Sequence, residues 1–117
     1  MKTKKNKKIV IFGGSGFLGN SLIKFLIKKD YDIILFTRSA SPQKLIKKYK
    51  LNSNIKIINW NLNDYKLVEQ NILNADCIIN LCGILYANKH GDFFKVHCDL
   101  PALLGKLSSQ NKINKLI

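Results

Sequence analysis

A short apolar run, Lys8 Ile9 Val10 Ile11 Phe12, leads into Gly13 Gly14 Ser15 Gly16 and then, without a break, into an amphipathic stretch that opens Phe17 Leu18 Gly19. Few folds accommodate that order. A run that is apolar at every position is buried on both faces, which is the environment of a strand inside a parallel sheet. Glycines directly after it let the chain turn sharply, because without a Cβ the positive φ region is open to them. A helix that starts at once leaves the free N–H groups of its first turn facing that turn. Backbone donors and the positive end of the helix dipole then converge on one spot, a cradle for an anion.

The spacing narrows the anion. Gly13 makes the tight turn, Gly16 admits close approach of backbone to a pyrophosphate, and Gly19 lets the helix pack closely on the sheet. Gly14, Ser15, Phe17 and Leu18 complete the loop and the first helical turn, and all seven residues are assigned to binding a dinucleotide cofactor. The loop lacks the Lys with which a nucleoside triphosphate site reaches its outer phosphates, so a triphosphatase is excluded.

The remaining sequence alternates strand and helix. Lys8–Phe12 is the first strand. A helix follows over Phe17–Lys29, with Leu18, Leu22, Phe25 and Leu26 as its apolar stripe, Ile23 and Ile27 flanking it, and Asn20, Lys24 and Lys28 opposite. Asp32–Thr37 is a second strand, and Ser41 with Pro42 opens a helix that runs to Lys50. Asn54–Trp60 reads as a third strand, Asp64–Leu73 as a helix capped by Asn63 or Asp64, and Cys77–Cys82 as a fourth strand. Asp92–Gln110 is helical in pattern but contains Pro101, which must kink or divide it, and Ile113–Ile117 begins a fifth strand. The order predicts an α/β, Rossmann-type doubly wound parallel sheet of about five strands in the order 3-2-1-4-5, with helices on both faces. Residues 1–8 form a lysine-rich tail, and residues 9–117 form one dinucleotide-binding unit that stops inside its fifth strand, an incomplete fold with a C-terminal truncation.

Further site residues fall at strand ends. At the end of the second strand an NAD site offers a carboxylate to the ribose 2′-hydroxyl, whereas this sequence offers Thr37, Arg38 and Ser39. A guanidinium there forms paired charge-assisted hydrogen bonds with a 2′-phosphate, so Arg38 predicts a preference for NADP(H) over NAD(H). Asn61 and Leu62, after the third strand, are placed at the adenine ring. Asn80, Leu81, Cys82 and Gly83, at the end of the fourth, are placed near the ribose and nicotinamide.

Composition removes several alternatives. The net charge of +13 comes from 20 cations of which only Arg38 is Arg. Nucleic-acid readers favour the forked donors of Arg, so a nucleic-acid partner is not expected. Lys, Asn and Ile, all with A/T-rich codons, account for 48 of the 117 residues, and the charge is read mainly as drift in base composition. No apolar run is long enough for a transmembrane helix, and the four apolar residues after the lysines are too few for an export signal. Cys77, Cys82 and Cys98 form no CxxC pair and are read as reduced thiols, which points to the cytoplasm. His90, His97 and Cys98 match no metal-ligand spacing, so no metal is assigned.

With GGSGFLG, the Asn61–Leu62 pair and the fourth strand in view, the chain resembles the extended and atypical short-chain dehydrogenase/reductase superfamily, also described as NAD-dependent epimerase/dehydratase-like. FGGSGFLG, FTRS, ADCIINLCGILY and FFKVH together are similar to bacterial relatives of the NADPH-binding accessory subunit of respiratory complex I. That narrower resemblance implies a tightly held, structural cofactor and a place beside the inner membrane through a partner complex. The broader one implies a reductase or epimerase whose catalytic Ser or Thr, Tyr and Lys would come from a missing C-terminal portion. Tyr31, Tyr49, Tyr65 and Tyr86 all lack Lys four residues later, so no catalytic residue is assigned in this chain.

Overall fold

A computed structural model describes residues 7–13, 17–37, 47, 54–61, 64–82, 99–113 and 115–117. Strand β1 (Lys8–Phe12) is followed by helix α1 (Phe17–Ile27) and strands β2 (Asp32–Thr37) and β3 (Ile55–Asn59). Helix α2 (Tyr65–Ile72), strand β4 (Cys77–Asn80), helix α3 (Leu100–Gln110) and strand β5 (Lys115–Leu116) complete the described elements. Every strand pairing is parallel, and the sheet order is β3-β2-β1-β4-β5, as the alternation of elements predicts.

Successive side chains of a strand point to opposite faces, and that period of two divides the core. Val10 and Phe12 of β1 join Phe36 and Ile78 on one face, where Val68 and Ile72 of α2 and Leu100, Leu104 and Leu107 of α3 cover them. Ile9 and Ile11 join Ile33, Leu35 and Ile79 on the other, under Ile23 and Leu26 of α1. The sheet is therefore covered on both sides, which is what its all-apolar central strands require.

Local details depart from the sequence reading in instructive ways. Phe25 was expected in the buried stripe of α1 but is 59% exposed, with the Lys29 Nζ 5.4 Å from its ring centroid. The buried line runs through Gly19, Ile23 and Leu26, and Phe25 lies two residues, about 200° of helical turn, beyond Ile23. Asp64 stands at the N-cap of α2 without a side-chain capping bond, and its backbone carbonyl accepts from Val68 N at 3.3 Å; Asn63 lies outside the described residues. Pro101 sits in the first turn of α3, where its missing N–H costs no intrahelical bond, so the described helix is unbroken. Strands three and four are shorter than predicted, Trp60, Leu81 and Cys82 leaving them, although Trp60 N still donates to Thr37 O at 3.0 Å and Leu81 N to Phe12 O at 2.8 Å. The predicted helix over 42–50 lies outside the described residues apart from Lys47, and so do residues 92–98.

Candidate functional site at the carboxyl ends of the strands

In an open parallel sheet the crevice for a ligand opens at the carboxyl ends of the strands, where the order of connections reverses. Here that reversal lies between β1 and β4: the chain leaves β1 toward β2 and β3, then returns to the other side of β1. Gly13 occupies this point. Its φ is +82°, its N–H donates to Phe36 O of β2 at 3.2 Å, and on the other side it abuts the chain leaving β4. A Cβ on Gly13 would stand 2.8 Å from Cys82 N and 2.9 Å from the Leu81 carbonyl carbon. Both the dihedral and the contact require glycine, because an L side chain would be strained and would also strike rigid backbone.

The segment against Gly13 is itself held in place. Leu81 N donates to Phe12 O at 2.8 Å, and the Asn80 side chain turns back so that its Oδ1 accepts from Cys82 N at 3.1 Å. Asn80, read from the sequence as part of this strand end, acts here as an Asx-type turn residue that holds Cys82 N. Both Leu81 and Cys82 are partly buried.

Toward β3 the floor of this end is aromatic. Phe12 and Phe36 stack with centroids 4.6 Å apart, and the Trp60 ring meets both edge-on at 5.5 and 5.6 Å. Trp60 is buried, and its Nε1 finds no hydrogen-bond partner among the described residues. Thr37 is also buried and its carbonyl anchors Trp60 N, so the ends of β2 and β3 stay in register up to the exposed Asn61.

Of the sequence-assigned residues, Gly13, Asn61, Leu81 and Cys82 thus meet at one end of the sheet. Phe17, Leu18 and Gly19 form the first turn of α1, which holds no acidic residue, and Gly19 is buried on its sheet-facing side. Gly14, Ser15, Gly16, Arg38, Leu62 and Gly83 lie outside the described residues. Among those that are described, no His, Cys, Asp and Glu cluster could hold a metal ion, and no helix is long and apolar enough to cross a membrane. A cavity of about 360 Å³ opens at the opposite, amino end of the sheet, between Lys7, Tyr31, Asp76, Cys77 and Lys115, away from Gly13.

Residues 5–93 match the model of the NmrA-like family. The chain belongs to the NmrA-like family. This NmrA-like chain is 24% identical over 112 residues to the decarboxylating sterol-4-alpha-carboxylate 3-dehydrogenase of Dictyostelium discoideum, a match that covers 94% of the chain and 33% of that enzyme. It spans about a third of the length of the curated relatives it matches. Its fold is shared with the Bordetella bronchiseptica enzyme WbmG in complex with NAD, at a TM-score of 0.80 and 16% identity over 96% of this chain and 36% of that one. It is shared also with the yeast methylglyoxal/isovaleraldehyde reductase Gre2 complexed with NADPH, at a TM-score of 0.77 and 13% identity over 93% and 35% of the two chains.

Proposed function

We propose that residues 9–117, with Lys8 at the start of β1 rather than in the lysine-rich segment before it, are the nicotinamide-dinucleotide-binding unit of an NmrA-like protein. The observation that carries this reading is Gly13 at positive φ, wedged between β2 and the backbone of Leu81–Cys82 at the point where the connections reverse. A pyrophosphate lies over Gly13–Gly19 at the start of α1, whose first turn offers backbone N–H groups and no competing carboxylate. Asn61 and Leu62 hold the adenine, and Leu81, Cys82 and Gly83 border the ribose and nicotinamide. Arg38, directly after buried Thr37 at the end of β2, pairs with a 2′-phosphate and selects NADP(H), NAD(H) binding more weakly. The NAD and NADPH in the two structural neighbours support the class of cofactor.

The reaction belongs to the reductase, dehydrogenase or epimerase class of the relatives, which are about three times as long as this chain. A hydride transfer to a carbonyl needs a positioned acid for the oxygen, and no Tyr followed four residues later by Lys occurs in these 117 residues. A second reading, in which the cofactor is held without turnover, rests on the likeness of FGGSGFLG, FTRS and ADCIINLCGILY to relatives of the accessory subunit of respiratory complex I. A cytoplasmic location, where cysteines stay reduced, fits either reading.

Calorimetric titration of the purified chain with NADPH and then NADH, at fixed salt, tests the proposal. NADPH is expected to bind at least about tenfold more tightly, and Arg38→Ala to abolish that preference while leaving NADH binding unchanged. Equal affinities in the parent chain would remove Arg38 from the site; no binding of either dinucleotide would remove the function.

A further inference from the structure

Among the described residues, lysines collect at the amino end of this sheet. The amino end collects Lys7 and Lys8 at the start of β1, Lys28 and Lys29 after α1, and Lys112 and Lys115 around the turn into β5. Against these six stand Asp30, Asp32 and Asp76, and the Asp76 carboxylate already accepts from Lys8 N at 2.8 Å. At the carboxyl end the described charges are Asp64, Lys66 and Asp99.

Apolar side chains are exposed beside these lysines. Phe25 in the last turn of α1, Leu73 after α2 and Leu116 in β5 are all large, exposed and near the amino end. A hollow of about 360 Å³ at the same end of the strands is lined by two lysines, Lys7 and Lys115, together with Tyr31 and Asp76. A surface that mixes ammonium groups with isolated apolar side chains suits a bilayer bearing anionic lipids. Lysines draw it to the negative surface, and apolar groups enter the headgroup boundary. Nucleic-acid contact would be served by Arg, which this end does not display.

We infer that the amino end of the sheet is a peripheral docking surface for an anionic lipid bilayer, which turns the glycine end away from the membrane. The inference does not depend on the identity of the cofactor, because the two surfaces lie at opposite ends of the strands.

Flotation of the full chain with vesicles of phosphatidylcholine alone, or with about one third phosphatidylglycerol, tests this directly. Binding is expected only to the anionic vesicles, and raising salt from about 0.05 to 0.5 M should release most of the protein as charges are screened. The triple variant Lys28→Glu, Lys29→Glu and Lys112→Glu, checked for an unchanged circular dichroism spectrum, should bind these vesicles at least about tenfold more weakly. The salt titration needs no variant, so a folding defect cannot obscure the result. Absence of binding at low salt, equal binding to neutral vesicles, or tighter binding to a DNA or RNA oligonucleotide at the same salt would each overturn the inference.

Discussion

At Gly13 a single methyl group would have to occupy space held by the Leu81–Cys82 backbone, in a conformation that L residues rarely adopt. Gly13→Ala is expected to lower stability by about 2 kcal/mol or more, read from urea unfolding, and to weaken dinucleotide binding as well. A loss under about 0.5 kcal/mol would mean that the turn relaxes freely. The thiol of Cys77 shows a different kind of residue-level control. Burial pushes its pKa up, and Asp76 pushes in the same direction, while Lys115 works against them. The thiolate is the reactive form, so Cys77 is expected to alkylate more slowly at neutral pH than a free cysteine, as followed by peptide mass spectrometry. The sign for stability follows: the unfolded chain ionises this thiol first, so its contribution is complete below the ordinary thiol pKa and is lost as pH rises through the higher folded value.

At the scale of elements, helix α1 separates two residues that look alike in the sequence. Ile23 is fully buried against Ile11 and Leu35, whereas Phe25 faces solvent. Ile23→Ala is expected to cost about 2–5 kcal/mol and Phe25→Ala less than about 0.5 kcal/mol, both measurable by denaturant unfolding. The apolar positions of α1 are so dense that periodicity permits several stripes, and only packing on the sheet selects Gly19, Ile23 and Leu26. Helix α1 (Phe17–Ile27) ends before Lys29 and α2 (Tyr65–Ile72) before Leu73, earlier than predicted, whereas α3 ends at Gln110 as predicted. The turns after α1, α2 and α3 each contain a non-glycine residue at positive φ, namely Asp30 at 58°, Asn74 at 64° and Lys112 at 54°. Asn74 is a residue type that tolerates this conformation, but Asp30 and Lys112 stand where glycine is usual, so their left-handed turns were not visible in the sequence. Lys112→Gly should therefore raise stability, by up to about 1 kcal/mol, where a substitution in an ordinary helical conformation would lower it.

For the whole molecule, the legible part is the topology. Lys8–Phe12, Asp32–Thr37 and the apolar residues of β4 are continuous enough to be read as buried parallel strands, and the strand–glycine–helix junction fixes where the order reverses. The convergence of Gly13, Asn61, Leu81 and Cys82 on one end follows from that topology alone. Asn80 was placed at this end by sequence, but its role as a clasp on Cys82 N is a contact between side chain and main chain that no spacing rule encodes. The gathering of lysines at the amino end was equally hidden, since Lys7, Lys28 and Lys112 are far apart in sequence and meet only because parallel strands all begin on one side. Two ends with different chemistry are the result, glycine and hydrogen-bonding backbone at one and ammonium groups at the other.

The central claim, a dinucleotide held where β1 and β4 end, is tested most directly by amide hydrogen exchange of the full chain with and without saturating NADPH. Slower exchange is expected across Gly13–Gly19 and at Leu81 and Cys82, with Lys7–Ile9 and Asp76 at the other end unchanged. Protection confined to the amino end, or bound NADPH that leaves Gly13–Gly19 unprotected, would contradict it.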